Sequence, residues 1–183
     1  MTTEFDVTQG FVFDGAHHLT ERHRIGYGNL HGHSWSCRVT LTGARDPKSE
    51  WVIDFEQFEE ALRKISNCLD HRYHNAIPGL PTPTMENMAV WIAETTWVLL
   101  YPQRITSPRI SITRVKLSRP TLGETIVYRP DSLGLRPKGN FELQLLGDDF
   151  YKPFVKDQKA LLKKRIRNLQ KELRFIETFE PQR

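Results

Sequence analysis

Two histidines separated by one glycine, in Leu30-His31-Gly32-His33-Ser34-Trp35, constrain this chain more than any other stretch. They stand at the head of Ser34 to Thr42, which reads as a strand with Trp35, Cys37, Val39 and Leu41 on one face. Residues i and i+2 of a strand point the same way, so both imidazoles can reach a single ion, and Gly32 places no side chain between them. Taken alone, such a pair also describes two surface imidazoles. A third histidine closes an earlier apolar run at Phe13-Asp14-Gly15-Ala16-His17. Three neutral imidazoles with an open fourth position form a catalytic zinc arrangement, whereas structural zinc sites close with four ligands and favour thiolates. His18 is the rival to His17, and with His23 it otherwise reads as a surface imidazole.

The remaining periodicities set the architecture. Phe5, Val7, Phe11 and Phe13 mark a strand before the histidine pair, and Gly43 to Glu50 is turn chemistry. Trp51-Val52-Ile53-Asp54-Phe55 leads into a helix through about Leu69, with Phe55, Phe58, Leu62, Ile65 and Leu69 on its buried stripe and Asp54 as its N-cap. A Pro-rich loop, Ile77 to Pro83, precedes Thr84, the expected N-cap of a second helix to about Leu100 that carries Met88, Trp91, Ile92, Thr95 and Leu99. Arg109 to Leu117 reads as a third strand whose alternation changes phase near Thr113, with Ile110 and Ile112 on one face and Val115 and Leu117 on the other. Glu124 to Tyr128 is a fourth. Two strands, two helices and two strands predict an α+β fold, with the helices on one face of the sheet.

A chain of 183 residues accommodates one domain and an appendage. The expected division is a domain over 1–130 and a C-terminal extension over 131–183. In the extension Leu162, Ile166, Leu169, Leu173 and Ile176 form an a/d seam on an amphipathic helix flanked by Lys and Arg. The net charge of +4 and pI near 9.1 describe this tail more than the domain. Without a clear aromatic stacking platform among the basic residues, the pattern favours a packed or subunit-pairing helix over nucleic-acid binding. No apolar run reaches the length of a membrane span, and the first residues lack a basic stretch followed by an apolar one, so neither a membrane segment nor a secretory signal is expected. Two cysteines are too few for a disulfide framework and fit the cytoplasm.

Five motifs occur in order: Phe13-x-x-Ala16-His17, His31-Gly32-His33, Asp54-Phe55, Leu69-Asp70-His71-Arg72-Tyr73-x-Asn75 and Pro83-Thr84-x-Glu86-Asn87. Together, across about Phe5 to Tyr128, they resemble the 6-pyruvoyl-tetrahydropterin synthase family, including the 6-carboxy-tetrahydropterin synthases of the queuosine pathway. The resemblance implies a tunnelling fold, a four-stranded antiparallel sheet with two helices on one side. It further implies homo-oligomers whose sheets close into a barrel, with active sites between subunits. It implies zinc on His17, His31 and His33, a proton-moving pair in Asp70 and His71, and a pterin-like small-molecule substrate such as 7,8-dihydroneopterin triphosphate. Thr84 and Glu86 become candidates for the substrate pocket, against their simpler roles as an N-cap and a first-turn charge.

Two departures stand against the pattern. The family's nucleophilic cysteine lies four positions before the first histidine of the pair, where this chain has Tyr27; Cys37 and Cys68 do not fall in that register. A phenol near pKa 10 is harder to use as a base at neutral pH than a thiol near 8.5, so Tyr27 is either a replacement base or an aromatic packed over the site. The family's pterin-anchoring glutamate, after the third strand, is replaced by Ser118, Arg119 or Pro120 according to register, and Glu124 arrives several residues late. A cation cannot accept the N–H donors of a pterin edge, so Arg119 suits an anionic ligand instead. The alternatives are therefore the same scaffold acting on a different anionic or non-pterin substrate, and a non-catalytic, zinc-retaining assembly protein. His74, where the family carries an apolar residue, reads as a partly exposed imidazole or an added ligand or proton carrier.

Overall fold

The computed structural model describes residues 3–19, 27–80, 82–104 and 110–130, with backbone alone for 101–104. The expected C-terminal extension and His23 lie outside these residues. β1 (Glu4–His17) and β2 (His31–Ala44) are long antiparallel neighbours, α1 (Phe55–Leu69) and α2 (Met85–Arg104) follow, and β4 (Ser111–Arg119) and β5 (Glu124–Tyr128) complete the antiparallel set. The sheet has five strands rather than four. Arg72–Tyr73 forms a two-residue β3 that pairs in parallel with Gly15 and Ala16, giving the order β3-β1-β2-β4-β5. So short a strand carries no alternation to be read from sequence; backbone pairing to β1 creates it.

The core lies between one sheet face and the two helices. Trp35, Cys37, Val39 and Leu41 of β2 are all buried, and Phe13 stacks on its cross-strand partner Trp35 with centroids 5.9 Å apart. α1 starts where the Asp54 carboxylate accepts the Glu56 N–H at 2.9 Å and ends where the Asp70 N–H returns to the Ser66 carbonyl. It buries Phe58, Ala61, Leu62, Ile65 and Leu69; Phe55, expected on that stripe, is 57% exposed because it opens the helix outside the packed face. α2 buries all five residues of its expected stripe and runs to Arg104, four residues beyond the expected end.

The phase change near Thr113 is a bulge. Thr40 pairs with Arg114 and Leu41 with Ile112, leaving Thr113 as the extra residue. The consequence corrects the two-faced reading of this strand: Ile110, Ile112, Val115 and Leu117 are all buried, since the bulge returns the later pair to the core side. Among the described residues no helix is long and apolar enough to cross a membrane.

Candidate metal centre and adjoining cleft

β1 and β2 bring three imidazoles together at one end of the core face. His17 and His31 are direct cross-strand partners, and His33 follows two residues along β2 opposite Gly15. One ring nitrogen from each of His17, His31 and His33 lies within 4.8 Å of the others. The backbone fixes two of the tautomers. His17 Nδ1 donates to the Pro83 carbonyl at 2.9 Å and His31 Nδ1 to the Asn29 carbonyl at 2.8 Å. In the neutral form of each ring the lone pair is then on Nε2, and both Nε2 atoms are buried without a hydrogen-bond partner. A ligating histidine is commonly oriented in this way by the hydrogen bond its other nitrogen makes. Burial, helped by the neighbouring His31 and His33, lowers the His17 pKa to about 4, so the ring is neutral and metal-competent at neutral pH. His33 is likewise lowered, by burial first and the Arg119 charge second. The donor set fits zinc chemistry: three imidazoles and no thiolate.

His18 points elsewhere. Its Nδ1 meets the Tyr73 hydroxyl, and its backbone is bracketed by the Asn75 amide. His74 is fully buried rather than partly exposed, with Nε2 donating to the Leu69 carbonyl at 3.0 Å and its ring 6.3 Å from that of His17. It is not one of the three clustered ligands, and burial lowers its pKa.

Asp70 and His71 sit where α1 gives way to β3. The Asp70 carboxylate accepts the Asp14 N–H at 2.8 Å through Oδ1 and meets His71 Nδ1 at 2.9 Å through Oδ2. The Asp14 N–H above all, then His71, holds the Asp70 pKa below the usual carboxylate range. The His71 backbone is left-handed, at φ 55°, and its N–H donates to the Asp14 carbonyl. Its ring is largely exposed and lines a cleft of about 660 Å³ together with His33, Ser34, Tyr73 and Thr121. One cleft thus joins the exposed imidazole to the triad.

The other sequence candidates fall around this centre. Tyr27 turns a ring toward His31, centroids 5.7 Å apart. The thiols are poor nucleophiles: burial pushes Cys37 strongly up and Cys68 to about 12. The Thr84 hydroxyl caps α2 by accepting the Asn87 N–H, and Glu86 is exposed in the first turn of that helix, close in sequence to the Pro83 carbonyl that holds His17. Arg119 is at the triad itself, donating from Nη1 to His33 Nε2 at 3.2 Å.

Glu124, several residues late in the sequence for the anchor position, is a neighbour of the site. The turn through Pro120 and the left-handed Gly123 folds it back opposite Arg119, to which its carboxylate is ion-paired. The Pro and Gly between the two residues were the available signal.

Fold and triad together define an α+β enzyme scaffold of the T-fold type with a site that can hold a metal ion. The chain belongs to the 6-pyruvoyl tetrahydropterin synthase family, whose model matches residues 6–131. It is similar to the dihydroneopterin monophosphate aldolase of Pyrococcus furiosus, 35% identical over 82 residues that span 45% of this chain and 66% of the relative. It is also similar to the 6-carboxy-5,6,7,8-tetrahydropterin synthase of a Synechocystis species, 37% identical over 87 residues, or 45% of this chain and 67% of that one. Among solved structures, the 6-pyruvoyl tetrahydropterin synthase of Caenorhabditis elegans superposes with a TM-score of 0.58 at 19% identity, covering 71% of this chain and 98% of that one. The corresponding protein of Plasmodium falciparum does so with 0.55 at 18%, covering 70% and 100%. At these identities the two structures speak for the fold.

Proposed function

We propose that the protein is a zinc-dependent lyase or cyclase acting on 7,8-dihydroneopterin triphosphate or a related compound. The observation that carries this reading is the pair of buried, partnerless Nε2 lone pairs on His17 and His31, each fixed by an Nδ1–H to a carbonyl. Both sequence relatives, a dihydroneopterin monophosphate aldolase and a 6-carboxy-5,6,7,8-tetrahydropterin synthase, are named for pterin chemistry, which supports the substrate class. His17, His31 and His33 would hold the ion, which when bound supplies Lewis acidity toward a substrate oxygen.

The chain's own residues supply the proton chemistry. Asp70, anchored by the Asp14 N–H, keeps the His71 proton on Nδ1 when the ring is neutral and orients the ring. His71 Nε2 is then the atom that takes up or releases a proton in the cleft. Tyr27 stands in the place of the family's nucleophilic cysteine, against His31. Thr84 and Glu86 at the head of α2 and Arg119 beside His33 would contact the substrate. In this reading the domain over 1–130 works in the cytoplasm as a homo-oligomer with active sites completed between subunits.

Arg119 favours a second reading: the same scaffold acting on a different anionic or non-pterin compound. Turnover of dihydroneopterin triphosphate by zinc-loaded protein decides between them. Conversion lost in His71→Ala and reduced about 10²–10⁴-fold in Tyr27→Phe, with zinc retained in both, supports the first reading and the Tyr27 role. No conversion by the wild type, or by Tyr27→Cys, favours the second reading or a non-catalytic, zinc-retaining assembly protein.

A further inference from the structure

Arg119 is a buried cation with donors to spare, set against one of the three clustered imidazoles. The residue is 9% exposed. Its guanidinium is ion-paired to Glu124 through Nη2, donates from Nη1 to His33 Nε2, and lies over the Trp35 ring with Cζ 5.5 Å from the centroid. Its Nε is buried without a hydrogen-bond partner. Glu124 and Trp35 hold the group by one edge and one face, leaving it little freedom to turn away from the triad.

A neutral imidazole has one lone pair. In His17 and His31 it is bare; in His33 it accepts from Arg119. An ion that takes His33 through Nε2 therefore displaces Arg119 Nη1–H from its acceptor. That donor then joins Nε–H, which has no hydrogen-bond partner, on a guanidinium whose anionic neighbour among the described residues, Glu124, is already ion-paired to Nη2. Buried charged donors left unmatched are costly, and a guanidinium N–H makes a strong, charge-assisted hydrogen bond to an oxygen of a carboxylate or phosphate.

We propose that Arg119 selects an anionic ligand at this centre, receiving a carboxylate or phosphate oxygen of the compound that docks against His17, His31 and His33, with Glu124 and Trp35 as positioning residues. The inference rests on the metal reading of the triad and adds the charge of the group that must lie beside it. It also accounts for a cation in a place where a neutral ligand would leave its donors unmet.

The test uses full-length protein loaded with cobalt(II), whose visible absorption reports the coordination sphere, titrated separately with inorganic phosphate and with acetate. The wild type should change its spectrum with at least one of the two, and the anion that acts at lower concentration identifies the preferred oxygen source. Arg119→Gln combined with Glu124→Gln keeps a neutral hydrogen-bonding pair in place. It should load cobalt normally and need roughly 10–100-fold more anion. Arg119→Lys, which keeps the charge and loses the planar guanidinium, should fall between; it also decides the matter if the double variant does not fold. Equal midpoints in wild type and variants, or no response of the wild type to either anion, overturn the proposal. A wild type that takes up no cobalt overturns the metal reading itself, and this is visible before any anion is added.

Discussion

Gly15 and His74 share one volume: a Cβ built on Gly15 would stand 2.1 Å from His74 Nε2. The imidazole passes beneath β1 and donates to the Leu69 carbonyl, so the end of α1 is tied to the strand that carries His17.

Gly15→Ala should therefore destabilise the protein by about 1–3 kcal/mol, the range for overpacking a filled interior. Urea unfolding measures it. In a His74→Ala background the clash is gone and the cost of Gly15→Ala should fall well below its wild-type value. Equal costs in both backgrounds would mean that the neighbouring chain gives way instead.

Metal content offers a direct check on the triad. Protein purified without chelator should hold about one zinc per chain, and His17→Ala or His31→Ala should hold little. Free zinc at about 100 times its dissociation constant should add about 2.7 kcal/mol of stability, seen as a raised melting temperature that chelator reverses. Full metal content in both alanine variants would place the ion elsewhere.

The metal-free protein should lose stability as pH falls from about 6.5 to about 4. The His17 ring stays neutral in the folded state down to about 4, chiefly because burial opposes its charge, while the same ring in the unfolded chain takes up a proton below about 6.5. The unfolded state thus binds more protons within that window, at a slope approaching about 1.4 kcal/mol per pH unit from His17 alone. His33 and His74 are shifted in the same direction and steepen the fall. Above about 6.5 this contribution is flat. Urea midpoints in chelator at pH 7.5, 6 and 5 test the prediction, and a level series would contradict a neutral, buried His17.

The dyad should separate chemistry from binding. Asp70→Asn keeps an oxygen for the Asp14 N–H but removes the charged carboxylate paired with His71 Nδ1. A fall in kcat of about 10²–10⁴ with KM and zinc content little changed is expected. A change confined to KM would assign Asp70 to substrate binding.

Much of this was legible in the chain, for identifiable reasons. His31, Gly32 and His33 are close in sequence, so strand alternation alone puts both rings on one face, and the apolar run ending at His17 supplies the third. Asp54 and Thr84 cap their helices as their positions suggested. Less visible was whatever depends on pairing. The phase change near Thr113 announced an irregularity, but only the partner strand shows that a bulge returns Val115 and Leu117 to the core. β3 is two residues held by the backbone of β1, and Glu124 reaches Arg119 only through a turn and a cross-strand register. His74 read as a partly exposed imidazole because the space that buries it is a missing side chain on another strand.

Self-association through the sheet edges is a further prediction. β3 is two residues long and β5 five, so among the described residues the outer sides of β1 and β5 offer unpaired backbone that a second copy can extend. Sedimentation at micromolar concentration should show an oligomer, and a folded monomer would set aside assembly through these strands.

His71 is held at φ 55°, a left-handed conformation that disfavours side chains other than glycine or asparagine by roughly 1–2 kcal/mol. The proposed proton carrier and the least comfortable backbone of the cleft are thus the same residue. Any engineering campaign that sorts variants of this protein by heat resistance alone will be drawn toward glycine or asparagine at position 71. Its hardiest products should be the ones with no imidazole in the cleft, so a screen meant to improve this protein needs an activity readout from its first round.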